Sequence, residues 1–302
     1  MISTTNAATS LFLTDLDRTQ KAYEDAQRQA TSGLRIQLPS DDPTVVQDIL
    51  DLQTNISQNQ QIQTNLQDVK IELQAADGAI QSATKIMDRL SAIALQGASS
   101  TSTAQDRLNL AQETRSLQDQ LVQLSRTNIS GHYIFSGDQS DQPSYQLDTL
   151  ASNGVTQLVA PTNTRRILTT DGSTLTVSMT AQQLFDTGTA TTGNVFAAVQ
   201  ALATALETNS DADLAASVDN LRGASQYLNQ QVPFYGAAQN RVSDAMDLAH
   251  KSQVQQQATL SADRDADMAK VAVTLTQIQI QLEASLQSRA KYGNRSLFDY
   301  LA

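Results

Sequence analysis

The stretch "IQTNLQDVKIELQAADGAIQSATKIMDRLSAIA", residues 62–94, decides the fold, because its apolar residues recur in alternating steps of four and three. This spacing puts them on one stripe of a helix, as in the seam of a coiled coil. No proline lies between Pro43 and Pro143, so the helix can extend beyond the stretch itself. The stripe consists of Ile62, Leu66, Val69, Leu73, Ala76, Ile80, Ala83, Met87, Leu90 and Ala94.

Upstream of this stretch the same alternation holds from Val45 to Ile56, with a one-residue phase slip before Ile62. The run "PSDDP" predicts the start of the helix, with Asp42 as N-cap and Pro43 at the first helical position. The loop "GASSTST" ends it. A third helix is predicted from about 104 to 129, returning antiparallel.

Both chain ends carry long amphipathic helices with heptad spacing. The first is predicted over about 4–34, and the last from Pro233 to about 292. The simplest arrangement pairs them, but a pair with so many Ala, Thr and Ser in its seam buries little apolar surface. We therefore predict that the ends contact neighbouring copies or a partner. The predicted contact residues are Phe12, Leu16, Tyr23, Met268, Val271, Leu275, Ile278, Leu282 and Leu286.

Residues Val273, Ile280 and Leu286 form a second apolar edge on the last helix, and a helix that is apolar on two sides needs two neighbours. The terminal run "SLFDYLA", residues 296–302, is also unusually apolar for a chain end. We predict that it docks on another subunit through Leu297, Phe298, Tyr300 and Leu301.

The middle of the chain, about 137–193, is rich in Gly, Thr, Ser and Asp and predicts a small β-rich insertion. Its strands are "VTQLV", "RRILTT" and "STLTVSM", with a hairpin turn at "DG" (171–172) and a short helix at "AQQLFD". Helices follow from Asn194 and over about 211–231.

The predicted fold class is thus mainly α: a long antiparallel helical rod or coiled-coil bundle built from both chain ends, with a β-rich insertion. The predicted domains are a terminal coiled-coil domain (1–36 with 262–302), a helical rod domain (37–136 with 194–261) and an outer domain (137–193).

Composition disfavours several classes of binding partner. The net charge of −11 disfavours duplex nucleic acid and anionic membranes as partners. There is no cysteine, and we find neither a secretory signal nor a stretch apolar enough to span a membrane. We expect a protein that is cytoplasmic or exported without a cleaved signal.

Candidate chemistry is sparse. The run "DRDAD" (263–267) resembles the start of a calcium loop but lacks the required Gly and Glu, and we interpret it as an acidic patch inside the last helix, with Asp263 and Asp267 on one face. His132 and His250 lie in no catalytic motif. We predict no enzyme activity and no catalytic, cofactor-binding or metal-binding residues.

Four stretches together resemble the bacterial flagellin and hook-associated protein family. They are "ATSGLRIQLPSDDP" (30–43), "GHYIFSGDQSDQPSY" (131–145), "DRDADMAKVAVTL" (263–275) and "EASLQSRAKYGNRSLFDYL" (283–301). The second and fourth are similar to the branch of the family found at the hook–filament junction. One departure is Met268, which stands where the family usually has Tyr.

The resemblance implies a structural flagellar protein that links hook-associated protein 1 to the flagellin filament and assembles through its terminal helices. It implies export through the flagellar type III channel, to the extracellular flagellum, and a cytoplasmic chaperone bound to the C-terminal helix. Flagellin itself is the first alternative, disfavoured by "YIFSG" and "SLFDYL". A long helical enzyme or a component of a contractile machine is the second.

Overall fold

The computed structural model describes residues 2–187 and 193–293. The described chain forms two compact units, one from the described residues of the segments 1–58 and 252–302 and the other from those of 59–251. The elements are α1 (Ile2–Ser32), α2 (Pro43–Gly97), α3 (Ala104–Ser125), β1 (Asn128–Ile129), β2 (His132–Tyr133), β3 (Tyr145–Leu147), β4 (Val155–Gln157), β5 (Arg166–Leu168), β6 (Thr174–Thr176), α4 (Ala181–Phe185), α5 (Val195–Glu207), α6 (Asp211–Arg264) and α7 (Met268–Gly293).

The predicted fold class is confirmed, because long helices dominate and the described strands form small antiparallel pairs. Helices α2 and α6 contribute residues to both units. The three-domain division predicted from the sequence remains a prediction.

The unit made of residues 59–251 is built around the stripe of α2. From Leu66 to Ala94 every residue of the predicted stripe is buried, with Ala76, at 4%, the most exposed among them. Helices α3, α5 and α6 supply the facing layer, with Leu121, Val199 and Leu228 fully buried. The heptad pattern thus marks the core of this unit.

The third predicted helix ends earlier than expected, at Ser125 rather than near 129. A capping box fixes its start: Thr103 accepts a hydrogen bond from the Asp106 main chain, and the Asp106 carboxylate accepts one from Thr103. Beyond its end, a short hairpin begins with Asn128 paired to Tyr133.

The predicted helix break at Pro233 is wrong, because α6 runs through this residue without interruption. Proline removes one main-chain hydrogen bond and costs about 3 kcal/mol inside a helix. Leu228 and Tyr235, on either side of it, are 0% and 1% exposed. Their burial in the core offsets the proline and keeps the helix continuous.

A buried arginine joins three helix ends in this unit. The Arg107 guanidinium donates to the Gly97 carbonyl at 2.9 Å, to Asn209 Oδ1 at 2.7 Å and to Asp211 Oδ1 at 2.6 Å. These partners belong to the end of α2, the α5–α6 connection and the first turn of α6. One side chain therefore sets the relative positions of three segments.

The β-rich insertion consists of hairpins packed on the helices, as the strand pattern predicted. The β5–β6 hairpin turns at Asp171–Gly172, where Gly172 has a φ of 79°. An aromatic cluster attaches the insertion to α5, with the Phe185 and Phe196 rings stacked at 5.6 Å and Tyr145 at 5.2 Å from Phe196. The predicted short helix is α4.

The motif "YIFSGDQSDQPSY" attaches the β-rich insertion to the hydrophobic core. Phe135 is 1% exposed in the core, and the Ser136 and Ser144 hydroxyls hydrogen-bond at 2.8 Å. Gly137 has a φ of 59°, and a Cβ there would lie 2.5 Å from the Asn163 carbonyl oxygen and 2.8 Å from Pro161 Cβ. Only glycine fits this close approach of two backbones.

We therefore expect Gly137→Ala to destabilise the protein by about 1–2 kcal/mol more than Gly172→Ala. Both glycines have positive φ, but a Cβ at Gly172 meets open space. The control thus carries the backbone strain without the clash. Urea unfolding of both variants measures the difference, and equal losses of stability would show that the close approach costs nothing.

Candidate functional site

The terminal helices α1 and α7 pack against each other in the same unit, as the matching stripes predicted. Arg289 donates a hydrogen bond to Thr9 Oγ1 at 2.9 Å, and its guanidinium lies 5.5 Å from the Phe12 ring centroid. Further along, Gln279 Nε2 donates to the Tyr23 hydroxyl at 3.5 Å. The contacts run in opposite directions along the two helices, so the pair is antiparallel.

A set of main-chain bonds, which we call the bracket, ties residues 33–36 to residues 263–266. The Ala266 amide donates to the Gly33 carbonyl at 2.9 Å, and the Arg35 amide donates to the Arg264 carbonyl at 2.7 Å. The Arg35 guanidinium also donates to the Asp263 carbonyl. The bracket joins the turn after α1 to the turn before α7.

The break between α6 and α7 overturns one prediction. The run "DRDAD" does not lie within a continuous helix, because α6 ends at Arg264 and α7 begins at Met268. Asp265 accepts a hydrogen bond from the Ser261 hydroxyl at 2.6 Å, and Asp267 accepts from the Ala269 and Lys270 amides at 3.0 and 3.1 Å. Asp267 therefore caps α7, and the acidic run serves a helix junction.

Hydrogen bonding also explains the electrostatics of this junction. The Ser261 hydroxyl and then the neighbouring Arg264 hold the pKa of Asp265 below its ordinary value. On the other side of the bracket, amide bonds from Leu38 and Gln37, together with Arg28, lower the pKa of Asp41. The lowered pKa values reflect hydrogen bonds that stabilise the ionised carboxylates of these two turns, which is a structural role.

The predicted N-cap of α2 is confirmed. Asp42 Oδ1 accepts from the Thr44 hydroxyl at 2.7 Å and from the Thr44 amide at 3.2 Å. Next to it, Asp41 Oδ2 accepts from the Gln37 and Leu38 amides, both at 2.9 Å. The sequence run "PSDDP" thus closes a turn with one aspartate and starts a helix with the next.

The predicted contact residues that the structure describes divide among three environments. Val271 and Ile278 are 6% and 8% exposed, so the chain itself covers them. Half-buried beside them are Phe12, Leu16, Tyr23, Leu275 and Leu282. Met268 and Leu286 are 49% and 48% exposed. The remaining predicted contacts, Leu297, Phe298, Tyr300 and Leu301, lie outside the described residues.

The second apolar edge of α7 faces away from α1. Val273 and Ile280 are 57% and 62% exposed. Each follows a buried seam residue by two positions, which places it about 200° around the helix axis from that residue. We call Val273 and Ile280 the outer stripe. It offers apolar area that no described part of this chain covers.

Sequence reasoning did not foresee the bracket. Gly33 follows α1 with a φ of 72°, a conformation that suits a glycine at a helix end. Arg35 and the buried Ile36, which is 6% exposed, follow it directly. The available signal was the alternation of Leu34, Ile36 and Leu38 with polar residues, but the partner segment lies more than two hundred residues away.

The described residues contain no cluster of His, Cys, Asp or Glu that could bind a metal ion. Within the same part of the chain, no helix is long and apolar enough to cross a bilayer.

Comparisons with known proteins agree with this description. Residues 2–140 match the family model of the bacterial flagellin N-terminal helical region. A curated relative, polar flagellin E of Vibrio parahaemolyticus, is 29% identical over 147 residues, which cover 46% of this chain and 37% of the flagellin. The chain thus spans well under half the length of the curated relatives it matches.

Solved structures share the fold across most of the chain. A protein of Vibrio parahaemolyticus described as a flagellar hook-associated protein has a TM-score of 0.64 at 22% identity, with 74% of this chain and 100% of that one covered. Flagellar hook-associated protein 3 of Legionella pneumophila has a TM-score of 0.61 at 16% identity, covering 71% of this chain and 98% of that one.

The family resemblance expected from the four sequence motifs is therefore confirmed. The motif "ATSGLRIQLPSDDP" contains the turn after α1, which is one side of the bracket, and the motif at 131–145 attaches the insertion to the core. The first two motifs overlap the region matched by the family model. Residues 2–140 are similar to the N-terminal helical region of bacterial flagellin, and the chain shares the fold of the solved hook-associated proteins.

Proposed function

We propose that this chain is a non-enzymatic structural protein of the bacterial flagellum. In this role it forms the adaptor at the hook–filament junction, between hook-associated protein 1 and the flagellin filament. The outer stripe of α7 is the observation that carries the proposal, because it leaves apolar side chains uncovered on a chain with the fold of hook-associated proteins.

Physical reasoning connects the outer stripe to assembly. Burial of a valine or isoleucine side chain stabilises a contact by about 1.5–3 kcal/mol. The α1–α7 seam uses one side of α7, so its opposite side is free for a neighbouring copy. We propose that the terminal helices, 1–36 with 262–302, form the inner wall of a tubular assembly, with 37–136 and 194–261 around it and 137–193 outermost.

Two further parts of the proposal concern export and partners. The chain leaves the cell through the flagellar type III channel and takes its place in the extracellular flagellum. A cytoplasmic export chaperone covers the C-terminal helix before export, since an uncovered outer stripe invites premature association. Assembly partners are then copies of the chain itself, hook-associated protein 1 and flagellin.

Flagellin, the bulk filament subunit, is the second candidate function. The 29% identity to polar flagellin E favours it. The insertion motif and the terminal "SLFDYL" favour the junction role instead. The two functions differ in copy number: an adaptor forms one layer, whereas a filament subunit forms nearly the whole polymer.

A deletion strain of the source bacterium tests the proposal. We expect hooks without filaments, loss of swimming, and flagellin released into the medium, because the filament lacks its attachment layer. Electron microscopy of the cells and analysis of sheared filaments measure these outcomes. Full filaments on the deletion strain would contradict the junction role, and sheared wild-type filaments made mainly of this chain would assign it as flagellin.

A further inference from the structure

The break between α6 and α7 contains no residue that would end a helix. Helix α6 ends at Arg264 and α7 begins at Met268, so three residues separate them. From Ser261 to Lys270 the chain has no proline, glycine or β-branched residue. Alanine, arginine, methionine and lysine, which are strong helix formers, fill most of this run. Local preference therefore favours one continuous helix, and the interruption needs a cause elsewhere in the chain.

The bracket supplies that cause on the carbonyl side of the break. In an α-helix each main-chain carbonyl accepts a hydrogen bond from the amide four residues later. The Arg264 carbonyl instead accepts from the Arg35 amide at 2.7 Å and from the Ile36 amide at 3.3 Å. The Asp263 carbonyl accepts from the Arg35 guanidinium. The turn after α1 thus occupies two of the carbonyls through which α6 would continue.

The amide side of the break makes the two arrangements mutually exclusive. In a continuous helix the Ala266 amide would donate to the Ala262 carbonyl, but here it donates to the Gly33 carbonyl at 2.9 Å. A main-chain amide has one hydrogen to donate. The bracket and the continuous helix therefore cannot both use this amide. Leu34 and Asp265, which pair as an isolated antiparallel bridge, belong to the same arrangement as the bracket.

Hydrogen bonding alone favours neither arrangement, because the bonds of the bracket replace bonds of a helix. Burial of Ile36, which is 6% exposed, favours the bracket. Asp267 also favours a break, since it accepts from two amides of α7 at 3.0 and 3.1 Å and would lie one turn from Asp263 in a continuous helix. Helix propensity acts in the opposite direction. Because burial of an isoleucine outweighs a single cap, residues 33–36 control the balance.

We propose that residues 261–270 have two alternative conformations, and that docking of residues 33–36 selects the broken one. With the bracket open, α6 continues through residues 265–267 into α7 as one helix. With the bracket closed, the helix is interrupted and α7 lies against α1. This inference goes beyond the proposed function and does not depend on it, because it concerns contacts within a single chain.

The bracket thereby couples the two terminal helices of the chain. With the bracket closed, α7 packs on α1, and Val273 and Ile280 stay exposed. With the bracket open, α7 continues along the axis of α6 and loses its fixed relation to α1. The outer stripe therefore takes its place only after the turn that follows α1 has docked. Two packings of one sequence that differ in a single docked segment form a two-state switch.

Nuclear magnetic resonance of the full-length chain, labelled with carbon-13 in alanine, tests the proposal. The Cα chemical shift of Ala266 distinguishes a helical from a non-helical main chain at the break. The variant Arg35→Pro removes both donors of this residue, the amide and the guanidinium. Gln37→Pro is the matched control: it also puts a proline in the turn and removes an amide donor, but the Gln37 amide bonds to Asp41 Oδ2 at 2.9 Å.

We expect the Ala266 shift to move to the helical value in Arg35→Pro and to keep its wild-type value in Gln37→Pro. Adding Asp267→Ala to Arg35→Pro removes the cap of α7 and should raise the helical population further. The signal of Ala83, which is fully buried in α2, shows in the same spectrum that the other unit stays folded. A random-coil or wild-type shift of Ala266 in both Arg35→Pro variants would overturn the proposal.

Discussion

Replacement of Arg107 by methionine should lower the free energy of unfolding by about 2–4 kcal/mol. The side chain of Arg107 is 7% exposed, and methionine keeps its apolar stem while removing every donor. The buried Gly97 carbonyl then loses its 2.9 Å hydrogen bond. Asp211 is 85% exposed and regains water, which keeps the loss below that of a fully buried ion pair.

The arginine's position makes this loss larger than that of an ordinary ion pair. Its partners hold the end of α2, the α5–α6 connection and the start of α6 in one place. The Asn209 main chain adopts a φ of 53°, in the left-handed region that asparagine tolerates better than most residues with a side chain. Removal of Arg107 takes away the 2.7 Å hydrogen bond from its guanidinium to Asn209 Oδ1, which helps to hold the main chain in this conformation.

Arg222→Met is the matched control for this prediction. Arg222 pairs with Asp219 at 3.2 Å, and both side chains are exposed, at 65% and 77%. Exposed pairs of this kind contribute about 0–1 kcal/mol. Urea unfolding followed by circular dichroism compares the two variants, and similar midpoints would show that the joint at Arg107 is dispensable.

The second large effect concerns assembly. We expect the double variant Val273→Gln, Ile280→Gln to abolish filament attachment while the isolated chain keeps its stability within about 0.5 kcal/mol. Both residues lie on the outer stripe and are more than half exposed, so the fold loses little. Glutamine is also a good helix former. Because each side chain has a little over half of its surface left to bury, the pair contributes about 2–3.5 kcal/mol per intersubunit contact, and its loss weakens each contact by about 30- to 300-fold.

Leu95→Gln controls for the removal of an exposed apolar residue. Leu95 is 63% exposed on α2, close to the 62% of Ile280, but it lies outside the outer stripe. Complementation of the deletion strain with each variant, scored by filament counts and swimming, separates the two. Filaments of normal number and length with the double variant would exclude the outer stripe as a subunit contact.

Much of the helical architecture could be predicted because the stripe of α2 depends on local spacing alone. Residues from Leu66 to Ala94 repeat the heptad pattern, and the structure buries them as expected. The N-cap at Asp42 and the hairpin at Asp171–Gly172 were also predictable, since turns and caps depend on residues close in sequence.

The helix boundaries near the C-terminal end were not predictable from local preference. Pro233 suggested a break, but burial of Leu228 and Tyr235 keeps the helix intact. The break at 265–267 contains no proline or glycine and is fixed by the bond from Ala266 to the distant Gly33. Tertiary contacts outweighed propensity in both cases.

The candidate site was predicted in outline. The pairing of α1 with α7 and the second apolar edge followed from periodicity, and the structure contains both. Sequence spacing could not show that Val271 and Ile278 would be covered by the chain itself while Val273 and Ile280 stayed exposed. That distinction depends on which side of α7 meets α1.

Because the bracket fixes the end of α1 relative to the start of α7, a change in the length of one helix shifts its contacts with the other. Helix α1 ends and helix α7 begins at the bracket, and Arg289 meets Phe12 far from it. A single-residue insertion in α1 between Phe12 and Gly33 would rotate the distal part by about 100° and displace it by about 1.5 Å. The seam then tolerates a change in one helix only with a compensating change in the other, so insertions and deletions in these two distant segments of the gene are coupled.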